Sequence, residues 1–138
     1  MKSCHAHSLE PQTFSHVLVV DDDPFAQRRF TSFLSHTLGL VRFSFASSYQ
    51  EGFDSLNAYP RPHLLILDYF LDGPKSGLDL LQDTMTQMIP PATLMTSAMS
   101  LAAFRRLLPA HLSDIQFLPK PFTLADLKKA LAELRFIA

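Results

Sequence analysis

Apolar and polar positions along this chain come in blocks rather than in strict alternation. Residues 17–20 are apolar throughout and are followed by Asp21, Asp22, Asp23 and Pro24. A short continuous apolar run closed by turn residues is the pattern of a strand buried on both faces. Asp23 is placed to cap a helix and Pro24 suits its first position. Ala26, Phe30, Phe33, Leu34, Thr37 and Leu38 then recur at helical spacing up to Gly39. The same order returns four more times. A strand near 41–46 precedes a helix near 49–58, and a strand at 63–68 follows Pro60 and Pro62. Leu78, Leu81, Met85, Met88 and Ile89 form a helical stripe that Pro90 and Pro91 break. A strand at 92–96 leads to a helix near 101–108. A last strand at 115–120 leads to a helix in which Leu124, Leu127, Ala130, Leu131 and Leu134 share one face.

Five short apolar strands alternating with five helices predict an α/β fold. Right-handed crossovers give a doubly wound, five-stranded parallel sheet with helices on both faces. The 138 residues fall within the size of one domain. Residues 1–15 are polar and aperiodic, and read as a flexible tail ahead of a domain spanning 16–138. Cys4, His5 and His7 in that tail are too closely spaced to complete a metal site, so a plain tail is the preferred reading.

Composition narrows the function classes. Hydrophobic residues make up 47% and charged residues 18%, which fits a cored protein rather than a disordered one. The net charge of −1 comes with dispersed basic residues, so direct nucleic-acid binding by this chain is not expected. The single cysteine excludes an intramolecular disulfide and fits a reducing compartment, hence a cytoplasmic location. No apolar run reaches the ~18 residues of a membrane span, and the N-terminus lacks the apolar core of a secretory signal.

The chemistry sits where the predicted strands end. Asp21 and Asp22 close the first strand, Asp68 the third, Thr96 the fourth and Lys120 the fifth. In open parallel sheets ligands bind beyond these carboxyl ends, so the five residues are expected at one rim. Three carboxylates gathered there repel one another unless a cation intervenes. All-oxygen ligation suits Mg²⁺, which often binds beside phosphate. Lys120 and Thr96 would then neutralise a phosphoryl group's oxygens, leaving one carboxylate free to act as nucleophile.

The stretches VLVVDDDP, LLILD, LMTS and FLPKPF, in this order and spacing, resemble a response-regulator receiver domain of two-component signalling. The likeness covers about residues 16–136. It implies the flavodoxin-like receiver fold and a phosphorelay role. Asp68 would be the phosphoacceptor, charged from a phosphohistidine on a histidine kinase or histidine phosphotransfer protein. The same likeness implies that Asp22 contacts Mg²⁺ directly, Asp21 acts through a water, and the backbone carbonyl of Phe70 is the third protein ligand. Thr96 matches the switch hydroxyl, Lys120 the family's lysine, and Phe117 the aromatic position that turns inward on phosphorylation. Pro121 matches a cis-proline. A downstream effector protein would dock on the face made by residues 101–108, 115–120 and 124–136. No effector sequence follows, so the output is expected to be a separate partner unless the chain is a fragment.

Two departures from the family pattern carry expectations of their own. Asp72 stands where a proline is usual and Gly77 comes one residue late; Asp72 reads as a solvated turn residue. Phe70 and Ala98 occupy the positions that usually orient the attacking water, and neither side chain can hydrogen-bond it. The phosphorylated form is therefore expected to lose its phosphoryl group slowly, unless Tyr69, Ser97 or Asp72 supplies the contact. This describes a switch with slow autophosphatase activity, not a metabolic enzyme. One rival is a haloacid-dehalogenase-like phosphohydrolase, whose first strand should end Asp-x-Asp-x-Thr/Val; Asp21-Asp22-Asp23-Pro24-Phe25 lacks the final residue. A receiver fold kept only for binding is the other.

Overall fold

The computed structural model describes residues 15–137, and side chains through Leu134; the tail expectation for 1–15, apart from Ser15, and the Cys4, His5 and His7 question lie outside it. The strands are β1 (His16–Val20), β2 (Arg42–Ala46), β3 (Leu64–Asp68), β4 (Ala92–Ser97) and β5 (Gln116–Pro119). The helices are α1 (Pro24–Leu38), α2 (Tyr49–Asn57), α3 (Gly77–Met85), α4 (Leu101–Leu107) and α5 (Leu124–Ile137), with a 3-10 turn at Ala110–Leu112. All strand pairs are parallel in the order β2-β1-β3-β4-β5, as a doubly wound sheet requires.

Strand periodicity divides the core in two. Val17, Val19, Leu64, Ile66, Leu94 and Leu118 pack under α1 and α5, against Phe30, Leu34, Leu127, Ala130, Leu131 and Leu134. The alternate residues Leu18, Val20, Leu65, Leu67 and Met95 pack under α2, α3 and α4, against Leu56, Leu80, Leu81 and Phe104. Most of these side chains are fully removed from water, each contributing roughly 1.5–3 kcal/mol. The edge strand β2 departs from burial on both faces: Phe45 is 43% exposed, since among the described residues β2 has a strand neighbour on one side only.

Local signals stop and start the helices. Asp23 caps α1 by accepting from the Phe25 amide at 2.9 Å, with Pro24 in the first turn, and Gly39 ends it at φ +80°. The expected stripe through Met88 and Ile89 is corrected. α3 ends at Met85, the amides of Gln87 and Met88 both turn back to the Thr84 carbonyl, and Ile89 is 93% exposed. Pro90 and Pro91 cannot continue a helix, and Leu80, absent from the expected stripe, is the residue that fills the core.

Candidate functional site

The same periodicity that builds the first core cluster continues past the strand ends. Asp21 is two residues beyond Val19, Asp68 two beyond Ile66, Thr96 two beyond Leu94 and Lys120 two beyond Leu118. All four therefore fall on one side of the sheet at its carboxyl rim. The backbone ladder carries this register into the loops: Asp68 pairs with Thr96, the Asp21 amide donates to the Ala46 carbonyl at 3.0 Å, and the Lys120 amide donates to the Ser97 carbonyl at 2.8 Å.

Lys120 is held from behind as well. The Lys120–Pro121 bond is cis, matching the expectation for Pro121; a second cis bond, Tyr59–Pro60, had no signal in the sequence. Phe122 is 5% exposed, stacks on Phe30 at 5.0 Å and meets Phe33 edge-on at 5.8 Å. The chain two residues past the lysine is thus anchored in the core by Phe122 while the Lys120 amine reaches the rim. Nζ donates to Asp21 Oδ2 at 2.9 Å and to Asp68 Oδ2 at 3.4 Å.

The three carboxylates occupy different environments. Asp21 is buried and spoken for, since Oδ2 takes Lys120 and Oδ1 accepts from the Asp23 amide at 2.9 Å. Asp22 is exposed and makes no side-chain hydrogen bond among the described residues. Asp68 is 6% exposed, and its pKa is pushed up to about 6. Burial is the main cause and the neighbouring Asp21 charge adds to it, against the opposing pull of Lys120. Burial pulls the Lys120 amine down, but the bonds and charges of Asp21 and Asp68 more than offset this, leaving its pKa above the ordinary value. One oxygen from each of Asp21, Asp22 and Asp68 lies within 4.8 Å of the others.

Around them lies an open cleft of about 360 Å³ lined by Asp21, Asp22, Asp23, Asp68, Phe70, Leu71, Asp72, Ala98 and Lys120. Thr96 is fully buried beneath it, and its Oγ1 has no hydrogen-bond partner among the described residues. An all-oxygen donor set, an orphan hydroxyl and an amine suit a hard divalent cation with a phosphoryl group, and among the described residues no histidine or cysteine lines the cleft. Phe117 is on the opposite side of the sheet, half-buried, its ring stacked on Phe104 of α4 at 4.2 Å.

The loop between β3 and α3 is fixed at both ends. Leu71 is buried and Tyr69 packs against the second core cluster, so Phe70 between them turns outward, 55% exposed. The Gly77 amide donates to the Tyr69 carbonyl at 2.7 Å. A Cβ on Gly77 would lie 2.0 Å from the Asp68 carbonyl oxygen, so only glycine fits against the backbone of Asp68. The late glycine keeps its place because the extra residue is absorbed outside, where Gly73 takes φ +105°. Asp72 is exposed on the cleft's rim.

The sequence profile of the response regulator receiver domain matches residues 17–132. The transcriptional regulatory protein MalR of Bacillus subtilis (strain 168) is 30% identical over 120 residues, covering 86% of this chain and 49% of MalR; the chain spans about half the length of that relative. Among solved structures, the signal receiver domain of a LuxO repressor protein from Vibrio parahaemolyticus superimposes with a TM-score of 0.73 at 22% identity, covering 94% of this chain and 92% of that one. A response regulator receiver domain protein from Clostridium thermocellum gives 0.72 at 21% identity, covering 89% and 95%.

Proposed function

Because this chain belongs to the response regulator receiver domain family, we propose that Asp68 is its phosphoacceptor and that phosphorylation there switches binding to a partner protein. The observation that carries this reading is the meeting of a buried Asp68 with Lys120, Asp21 and Asp22 in one cleft. A carboxylate oxygen of Asp68 attacks the phosphorus of a phosphohistidine on a kinase or phosphotransfer protein. The oxygen–phosphorus bond forms, the phosphorus–nitrogen bond breaks, and the imidazole keeps the electron pair and takes a proton from water. With a pKa of about 6, Asp68 is ionised at neutral pH as this step requires. The Lys120 amine moves its charge to the transferred group, and the orphan Thr96 hydroxyl donates to it.

Asp22, Asp68 and the Phe70 carbonyl would hold Mg²⁺, with Asp21 acting through a water because both its oxygens already accept hydrogen bonds. Bound there, the ion supplies charge neutralisation for the phosphoryl oxygens. Phe70 and Ala98 line the cleft with apolar side chains, which supports a long-lived phosphoryl group. The Phe117–Phe104 stack and the exposed Leu101 and Leu107 of α4 support effector docking on the α4–β5–α5 face. We place the exchange in the cytosol, where the family's kinases act. Family membership does not favour the haloacid-dehalogenase-like reading.

Incubation with acetyl phosphate and Mg²⁺, followed by intact-mass measurement, is the direct test. Wild type should gain one phosphoryl group and Asp68→Asn none; equal labelling of the two would refute the assignment.

A further inference from the structure

Asp22 raises a geometric problem. It is the exposed member of the acidic cluster and its carboxylate has no hydrogen bond among the described residues, so nothing on the side chain itself orients it. Its backbone, in contrast, is clamped on both sides. The peptide after it is held by the Asp23 amide donating to Asp21 Oδ1 at 2.9 Å. The peptide before it is held by Gln27, whose Nε2 donates to the Asp21 carbonyl at 2.8 Å and approaches Ser47 Oγ at 3.4 Å. Gln27 is itself fixed on the first turn of α1, its amide donating to the Asp23 carbonyl at 3.1 Å.

From this clamp we infer that Gln27 is a positioning residue, which fixes the Asp21–Asp22 peptide so that the Asp22 carboxylate meets the narrow geometric demand of Mg²⁺ rather than the looser one of Ca²⁺. The inference rests on the proposed metal role of Asp22 and Asp68. Its physical basis is that Mg²⁺ requires nearly ideal octahedral oxygen ligation at short distance, whereas Ca²⁺ accepts variable numbers and angles. A carboxylate on an unclamped peptide can still reach a Ca²⁺ ion, but holds Mg²⁺ in fewer of its conformations. Groups behind metal ligands commonly act in this way.

The two ions carry equal charge, so the ratio of their affinities cancels purely electrostatic effects of a substitution. Calorimetric titration of the full chain with MgCl₂ and with CaCl₂ is the test, on wild type, Gln27→Met, Gln27→Asn and Gln27→Arg. Gln27→Met keeps length without a donor, Gln27→Asn keeps the amide but is too short, and Gln27→Arg restores donors. The Met and Asn variants should lose Mg²⁺ affinity about five-fold or more, the weight of one hydrogen bond, with Ca²⁺ affinity changed less than about two-fold. The Arg variant should return the ratio toward that of wild type. Equal losses for both ions would assign Gln27 a merely structural part and overturn the inference, as would unchanged Mg²⁺ binding in the Met and Asn variants. Thermal melts identify a variant that does not fold, and the remaining one then decides. A wild type that binds neither ion would instead overturn the metal reading beneath it.

Discussion

The two ends of the same sheet are built to opposite electrostatic rules. At the carboxyl rim, charge is buried and answered with charge: Asp21 and Asp68 share the Lys120 amine, and Asp68 keeps a raised pKa. At the opposite rim the buried titratable group is His16. Its Nε2 pairs with the Ser44 hydroxyl at 2.8 Å, and its pKa is lowered, by burial first and then by the charge of Arg42. On the same rim, lined by His63 but not His16, opens a cavity larger than the acidic cleft, about 670 Å³, with Leu81, Met85, Ile89, Pro90 and Leu134 among its walls. At one end the buried imidazole is met by a neutral hydroxyl; at the other Lys120 answers the buried carboxylates only in part, since Asp68 keeps a raised pKa. The difference teaches that cavity size and apolarity do not locate the chemistry here. We propose it for the smaller, acidic cleft.

The comparison is sharpened most by neutralising Asp68. A rise from the ordinary 3.8 to about 6 means the ionised group costs folding roughly 3 kcal/mol at neutral pH. Asp68→Asn should therefore be more stable than wild type in the absence of metal, by about 2–3 kcal/mol in urea unfolding at pH 7.5, while losing phosphorylation. A less stable Asn variant would mean that Lys120 already compensates the charge in full.

Removing the exposed carboxylate should act on the ion more than on the fold. Asp22→Ala is expected to weaken Mg²⁺ binding at least ten-fold by calorimetry, with little loss of apo stability, because its side chain makes no hydrogen bond among the described residues. Unchanged affinity would remove Asp22 from the ligand set.

Acid should pull the two rims in opposite directions. Native Asp68 binds a proton more readily than the unfolded chain does, so its contribution to stability rises as pH falls from about 6 toward 3.8. Native His16 binds one less readily, so its contribution is full above 6.5 and is lost below it. Asp68→Asn should thus leave only the falling limb, and His16→Gln only the rising one, in stability measured from pH 7.5 to 4.5. Over the same change Mg²⁺ must displace the Asp68 proton, and its affinity should drop about ten-fold by pH 5. Parallel pH profiles for the two variants would erase the contrast.

The smallest effect concerns lifetime. Phe70→Asn combined with Ala98→Glu should shorten the life of the acyl phosphate several-fold at equal Mg²⁺, each change placing a polar group on the cleft's rim. A wild type that loses phosphate as fast as the double variant would show that Tyr69, Ser97 or Asp72 already orients the water.

Much of this was legible in the chain because residues 17–20 and 64–67 are unbroken apolar runs, each ending directly at an aspartate of the proposed site. The run ending at Asp21 and the run ending at Asp68 announce both the strand and its rim, and period two then puts Asp21, Asp68, Thr96 and Lys120 on one side. The end of α3 was not legible: Met88 and Ile89 continue its spacing, and only the turn onto the Thr84 carbonyl takes them off the helix. The division of labour between Asp21 and Asp22 is hidden for a different reason. Adjacent aspartates read alike until the fold brings Lys120 and the Asp23 amide to one of them. Gln27 gave no signal, since its partner is a backbone carbonyl that any residue would supply.

The pinning of Gly77 against Asp68 bears on how this fold can be lengthened. With the Gly77 amide bonded to the Tyr69 carbonyl and its Cα closed against the Asp68 carbonyl, and with Leu71 packed in the core and Lys75 paired with Asp83, the loop is fixed on both sides of a short exposed apex. Its ends are already together, so added residues cost only the slowly growing entropy of a larger closed loop. The exposed apex at Gly73 and Pro74 is consequently an insertion port, where an epitope or a fluorescent reporter peptide can be spliced in beside the acidic cleft without moving its floor.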